Sequence, residues 1–256
     1  MNPLQAMYRK LFDAETRKWI YKLRNPEHFQ RMRTVVNPSS KGDFSLKPFD
    51  EHRCIFVHIT KSAGTSVALA LFGHLPYHHT ARDYRVIYGR KTFAEYFKFA
   101  FVRNPWDRLY SAYSYLQGGG WNEDDQVWAE QYLSCFSSFE QFVTMAFSRD
   151  WLDKHLHFKP QIEFIGDRRG VPLIDHLMYF ETIAEDFNGV AARLGLDARL
   201  EHRNPSARAG YREVYTPAMR EIVADVYAQD IECFGYEFDG IKRRVKIADG
   251  TWAASG

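Results

Sequence analysis

The chain of 256 residues is 45% hydrophobic and 26% charged, an ordinary globular composition with room for a sizeable core. Its formal charge of +2 is too small for a protein that binds nucleic acid through bulk electrostatics. Three cysteines, Cys54, Cys135 and Cys233, without CxxC spacing, argue against both a disulfide framework and a zinc site.

The first residues mix charges in a way unlike a signal peptide, and no apolar run approaches the roughly 18–20 residues that span a bilayer. Asn37 and Asn204 are each followed by proline, which removes both as glycosylation acceptors. A cytoplasmic protein is expected. Residues 1–50 read as a basic helical extension and loop. Leu4, Met7, Tyr8, Leu11, Trp19, Ile20 and Leu23 recur among lysines and arginines, the pattern of an amphipathic helix over residues 5–24. Such a helix either packs on its own domain or makes peripheral contact with a membrane surface. Residues 36–50, rich in Asn, Pro, Ser, Gly and Lys, predict a loop.

Residues 51–240 carry the main domain, and 241–256 a tail. "CIFVHI" (54–59) predicts a strand, "TKSAGTS" a small-residue turn and "VALALFGHL" a helix, with Cys54 as a buried thiol. The pattern repeats as "FKFAFV" (97–102) and "RNPWDRLYSAYSYL", where Asn104 can cap a helix and Pro105 take its first position. "GGGWNEDD" (118–125) predicts a loop, and "HLMYF" (176–180) a third strand. Thr182 with Glu185 has capping-box spacing for a helix to Leu194, ended by Gly195. Thr216-Pro217 opens a last helix predicted to run to Phe234 and stop at Gly235. These elements make an α/β domain with a mainly parallel central sheet and helices on both faces.

His58 to Ser66, "HITKSAGTS", is the most informative stretch. A strand-to-helix turn aims N–H groups and a positive dipole end at one point, which suits a phosphate. Ala63 and Gly64 keep that turn bare, Lys61 adds a mobile cation, and Thr65 and Ser66 offer hydroxyls. A P-loop of the form G-x-x-x-x-G-K-[ST] places lysine after the glycines, whereas here it comes first and the opening glycine is replaced by Val57-His58. A nucleotide-dependent small-molecule kinase is therefore the weaker alternative, alongside a non-catalytic nucleotide-binding relative.

The inverted order resembles the 5′-phosphosulfate loop of carbohydrate-type sulfotransferases, the group that includes heparan 2-O and 6-O sulfotransferases and their bacterial relatives. Those loops read close to H-I-P-K-T-G-G-T-S; this chain departs at Thr60, Ser62 and Ala63. "FAFVRNPWDRLYSAY" (99–113) resembles the 3′-phosphate element of the same family and maps its arginine and serine onto Arg103 and Ser111. A guanidinium suits a phosphate through paired, charge-assisted hydrogen bonds. The resemblance covers residues 54–238. It implies a P-loop NTPase-like three-layer α/β/α fold, PAPS (3′-phosphoadenosine 5′-phosphosulfate) as donor, PAP as product and no metal. Lys61, Ser62, Ala63, Gly64, Thr65, Ser66, Arg103 and Ser111 would bind the donor, with Lys61 also catalytic, and a carbohydrate or polyol would accept the sulfuryl group.

A histidine base suits near-neutral chemistry. In the 6-O enzymes the base is a histidine between the two motifs, and "HHTARDY" (78–84) occupies that stretch; His79 aligns best, with His78 the alternative. His58 is expected to be buried beneath the loop. His155, His157 and His176 are further base candidates, and His155, His157, Lys159 and Gln161 are candidates to line the acceptor or adenine side. Glu181 either orients the acceptor or caps a turn, Trp121 and Trp128 are candidates to stack on sugars, and Arg208 and Arg212 are candidate phosphate partners.

Overall fold

The computed structural model describes residues 11–39, 42–200, 210–248 and 250–254. Near the N-terminus, α1 (Ala14–Arg24) is capped by Asp13, whose carboxylate accepts from the Thr16 N–H at 2.7 Å. Next, α2 (Pro26–Thr34) has proline in its first turn. The expected amphipathic helix thus begins, among described residues, at Ala14; its part at Leu4, Met7 and Tyr8 lies outside them. It packs on the domain through Trp19, which lies against the buried core, and through its polar side chains. Lys18 pairs with Asp83, Glu15 with Arg85, and the Lys22 ammonium donates to the Val86 and Ile87 carbonyls at 2.7 and 3.0 Å. Leu11, Tyr21 and Leu23 stay exposed. The predicted loop over 36–50 gives way early to a short helix, α3 (Lys47–Glu51), opened by Pro48 and by the Ser45 hydroxyl accepting from the Lys47 N–H at 3.1 Å.

The sheet consists of β1 (Cys54–Phe56), β2 (Phe97–Val102) and β3 (His176–Tyr179), all parallel, with β2 in the middle. Phe56 lies opposite Phe99, and Val102 opposite Tyr179. A parallel strand covered on both faces needs a nearly continuous apolar run, which "FKFAFV" supplies. Its lysine is accommodated: the Lys98 ammonium donates to the Phe93 and Tyr96 carbonyls and sits 3.0 Å from the Asp175 carboxylate.

Between β1 and β2 lie α4 (Gly64–Phe72), α5 (Ala81–Tyr88) and α6 (Arg90–Glu95). After β2 come α7 (Pro105–Gln117), α8 (Glu123–Tyr132), α9 (Phe139–Met145) and the short α10 (Ile162–Ile165). Beyond β3 are α11 (Ile183–Leu194), α12 (Tyr211–Val214), α13 (Pro217–Val226) and α14 (Ala228–Phe234). One buried core joins the sheet to α4, α5, α6 and α11 through residues such as Phe56, Phe99, Tyr84 and Phe187. A second joins α7, α9 and α13 through Leu109, Phe142, Phe158 and Met219. The architecture is α/β with a parallel sheet between helices, as expected.

Four details depart from the sequence pattern. The 118–125 loop ends at Asn122, which caps α8 by accepting from the Asp125 N–H at 2.9 Å; Glu123, Asp124 and Asp125 then suit the positive end of the helix. Thr182 does not cap α11, because its hydroxyl donates to the Asp186 carboxylate at 2.7 Å. The last helix is two, α13 and α14, broken at Tyr227, whose ring is buried and whose hydroxyl donates to the Phe158 carbonyl at 2.7 Å. The tail is ordered into β4 (Tyr236–Glu237) with β5 (Gly240–Ile241) and β6 (Val245–Ala248) with β7 (Thr251–Ala254). It is held down by the Val245 N–H on the Tyr179 hydroxyl at 2.8 Å and by Trp252 on the Gly170 carbonyl at 2.7 Å. Cys54 is buried, which pushes its thiol up to about 12. Among the described residues no helix is long and apolar enough to cross a membrane.

Candidate active site

The turn between β1 and α4 is built to present donors. Lys61 and Ala63 hold left-handed backbone angles, φ 64° and 60°, with Ser62 buried between them. Such alternation turns successive N–H groups toward one side. No side chain caps α4, so the N–H groups of Gly64, Thr65 and Ser66, which lack intrahelical acceptors, remain available at its positive end. Gly64 is required sterically: a Cβ there would sit 1.8 Å from the His58 ring. His58 is therefore a buried support, as expected, and burial together with the neighbouring His78 pushes its pKa well down, keeping it neutral.

Arg103 ends β2 directly beside this turn. Its Nη1 donates to the Lys61 carbonyl at 3.0 Å, its Nε and Nη2 hold the Asp107 carboxylate at 2.8 and 2.7 Å, and its guanidinium stacks 4.1 Å from the Phe180 ring. Asn104 then caps α7, accepting from the Trp106 N–H at 3.1 Å. The cap aims the first turns of α7 so that Ser111 faces the same space as Lys61. A cavity of about 660 Å³ results, walled by Lys61, Ala63, Gly64, Thr65, Arg103 and Ser111. Ser62 and Ser66 do not line it; the Ser62 hydroxyl points into the protein and donates to Gln161 at 3.3 Å.

Buried polar groups support the turn from below. Arg108, fully enclosed, donates from Nε to the Thr60 carbonyl at 2.9 Å and from Nη2 to the Thr60 hydroxyl at 3.2 Å. Thr60 replaces the proline of the related loops, and its hydroxyl also donates to the Leu156 carbonyl at 3.4 Å. Local anchoring by hydrogen bonds thus stands where a proline ring would restrict φ. Gln161, with no exposed surface, bonds both the N–H and the carbonyl of Arg103, at 2.9 and 2.8 Å. Asp230 on α14 accepts from the N–H groups of Gln161 and Ile162 at 2.7 and 2.9 Å. Burial pushes its carboxyl up to about 6.

The histidines divide between cavity and surroundings. His78 is on the wall, and its Nδ1 lies 3.1 Å from the His58 carbonyl. A carbonyl can only accept, so Nδ1 carries the proton and Nε2 has the free lone pair. Burial lowers its pKa. His79, which the sequence comparison placed first, is not on that wall: its ring packs against Tyr77 and Tyr84, its Nε2 is buried without a hydrogen bond, and burial lowers its pKa to about 4. The pair is set by a capping box that opens α5, the Thr80 hydroxyl accepting from the Asp83 N–H and the Asp83 carboxylate from the Thr80 N–H. The T-x-x-D spacing after "HH" was a signal for this turn.

His155 and His157 also reach the cavity. His155 Nε2 lies 3.3 Å from Asp125, whose carboxylate accepts from the Tyr115 hydroxyl and the Trp121 N–H at 3.0 and 2.8 Å. The Lys61 ammonium sits 3.7 Å above the Tyr115 ring. Trp121 lines the cavity, while Trp128 packs on Tyr132, Trp151 and Phe158 and belongs to the core side. Lys159 pairs with Glu163, and Glu181 holds the Asn104 N–H and the Tyr236 hydroxyl, at 2.7 and 2.8 Å. Arg212 pairs with Asp239 away from the cavity, and Arg208 lies outside the described residues. Among the described residues no cluster of three or more His, Cys, Asp or Glu side chains could hold a metal ion.

The model of the Sulfotransferase family matches residues 46–237, a span that contains the β1–α4 turn, Arg103, His78, Gln161 and Asp230. A protein of Archaeoglobus fulgidus, described as an uncharacterized protein, is 28% identical over 127 residues, 49% of this chain and 91% of its own length. No solved structure matches. Members of the family are transferases of sulfuryl groups and in general use PAPS as donor. A match over residues 46–237, most of the chain, shows that this chain belongs to the sulfotransferase family.

Proposed function

We propose that the protein transfers the sulfuryl group of PAPS to a hydroxyl of a carbohydrate or carbohydrate-containing acceptor, with His78 as general base. The observation that carries this reading is that Lys61 and Arg103, 42 residues apart in sequence, meet on one cavity wall with an uncapped helix N-terminus beside them. PAPS supplies an activated sulfur–oxygen bond and two phosphate ends about one nucleoside apart. The turn donors, with the Lys61 ammonium, suit the 5′ end, and Arg103 with Ser111 suits the 3′-phosphate.

In this reading the acceptor oxygen attacks sulfur in line, and the bond to the phosphate oxygen breaks. The electron pair leaves on that oxygen, where Lys61 and the α4 N–H groups offset the developing charge. His78 Nε2 takes the hydroxyl proton, its other nitrogen being held by the His58 carbonyl. His79 is the alternative base; its place away from the cavity wall favours its neighbour. For the acceptor, the ring of Trp121 beside Asn122 on the wall offers a stacking face and an amide of the kind that holds sugars.

Calorimetric titration with PAP, ADP and AMP tests the donor. Micromolar preference for PAP that Arg103→Ala abolishes supports it; equal affinity for ADP, or none for PAP, refutes it. A positive result licenses a screen of saccharide acceptors with PAPS.

A further inference from the structure

Gln161 does not line the cavity, yet its side-chain amide bonds Ser62 in the turn and Arg103 at the strand end that flank it. Its Oε1 accepts from the Arg103 N–H at 2.9 Å and from the Ser62 hydroxyl at 3.3 Å. Its Nε2 donates to the Arg103 carbonyl at 2.8 Å. Its own N–H is held by Asp230 at 2.7 Å, which ties it to α14. One amide therefore joins the turn that carries Lys61 to the strand end that carries Arg103. The Arg103 guanidinium closes the loop from the cavity side through the Lys61 carbonyl at 3.0 Å. Rotating or removing the amide would break both of its bonds to the Arg103 backbone, at about 1 kcal/mol each, so one arrangement dominates.

We infer that Gln161 is a positioning residue that couples the two phosphate-binding elements, so that a phosphate gripped at Arg103 aligns the turn that receives the other phosphate. This rests on the donor assignment above. It follows that the advantage of a 3′-phosphate is expressed partly at the opposite end of the nucleotide, through Ser62.

Calorimetric Kd values for PAP and 5′-AMP, in wild type, Gln161→Met and Ser62→Ala, decide the matter. Met preserves length and volume but offers no hydrogen bonds of comparable strength. The ratio of the two Kd values measures the worth of the 3′-phosphate, and a merely structural loss would weaken both ligands alike. We expect the ratio to fall at least about tenfold in Gln161→Met, equivalent to one lost hydrogen bond of ordinary strength. In Ser62→Ala, which leaves both Gln161 bonds to the Arg103 backbone in place, we expect a fall of about threefold, as for a longer and weaker bond. An unchanged ratio in Ser62→Ala overturns the coupling, whether or not Gln161→Met folds. A wild type that fails to prefer PAP over 5′-AMP overturns the donor assignment, and the coupling with it.

Discussion

Asp230 is buried with no exposed surface, and its two oxygens accept the N–H groups of Gln161 and Ile162. Burial raises its carboxyl from 3.8 to about 6, the Ile162 and Gln161 N–H groups and, after them, the nearby Arg108 opposing but not cancelling that effect. A raised carboxyl means that between these values the folded chain binds a proton that the unfolded chain does not. Its contribution to stability is complete below pH 3.8 and is lost as pH rises through about 6. At about 1.4 kcal/mol per pH unit, the loss approaches about 3 kcal/mol. The perturbation is Asp230→Asn, which removes the titration and keeps the shape; Asn offers one acceptor oxygen, so one N–H loses its partner at every pH. Urea denaturation of both proteins at pH 4.5, 5.5, 6.5 and 7.5 cancels the titration of all other groups in the difference. Wild type should lose about 2 kcal/mol relative to the variant across this range, most of it below pH 6.5. A difference that stays flat with pH would refute the reasoning and mean that the two N–H groups and Arg108 together balance the buried carboxylate fully.

Two further outcomes are expected. Thr60→Val, which keeps the shape and deletes the hydroxyl between Arg108 and the Leu156 carbonyl, should cost about 1–3 kcal/mol in thermal or urea unfolding and weaken PAP several-fold; unchanged stability would show that Arg108 holds the turn through the Thr60 carbonyl alone. His78→Ala should lower turnover of PAPS with a saccharide acceptor by about 10²–10⁴ with PAP affinity kept, and His79→Ala by less than about tenfold. The wild-type pH profile should rise through a limb below the ordinary histidine value of 6.5, because burial depresses His78 and the base acts in its neutral form. The reverse order of the two variants would assign the base to His79.

The elements that local chemistry dictates were legible in the chain. The apolar run of β2, the Asn104-Pro105 start of α7, and the Gly195 and Gly235 stops of α11 and α14 each follow from residue types at fixed offsets. So does the bare turn between β1 and α4, because a lysine before Ala63-Gly64 at a strand end is itself a local pattern. What lay beyond reach depends on contacts distant in sequence. Gln161 bonds Arg103 and Ser62 at separations of 58 and 99 residues, and Arg108 reaches Thr60 over 48. Nothing local marks Gln161 as buried or Arg108 as anything but a surface cation. The break at Tyr227 comes from a hydroxyl seeking Phe158, 69 residues away, against a helical pattern that continues through it. Choosing between adjacent histidines was likewise a tertiary matter. A turn exposes neighbouring side chains to different surroundings, and it is the His58 carbonyl and the Thr80–Asp83 cap that turn His78 toward the cavity and His79 toward Tyr84. The sequence by itself determined the residue types of the β1–α4 turn and the order of the elements. The tertiary structure decided which buried polar groups hold that loop, since a hydrogen bond between distant segments exists only once packing has excluded the water that would otherwise compete for it.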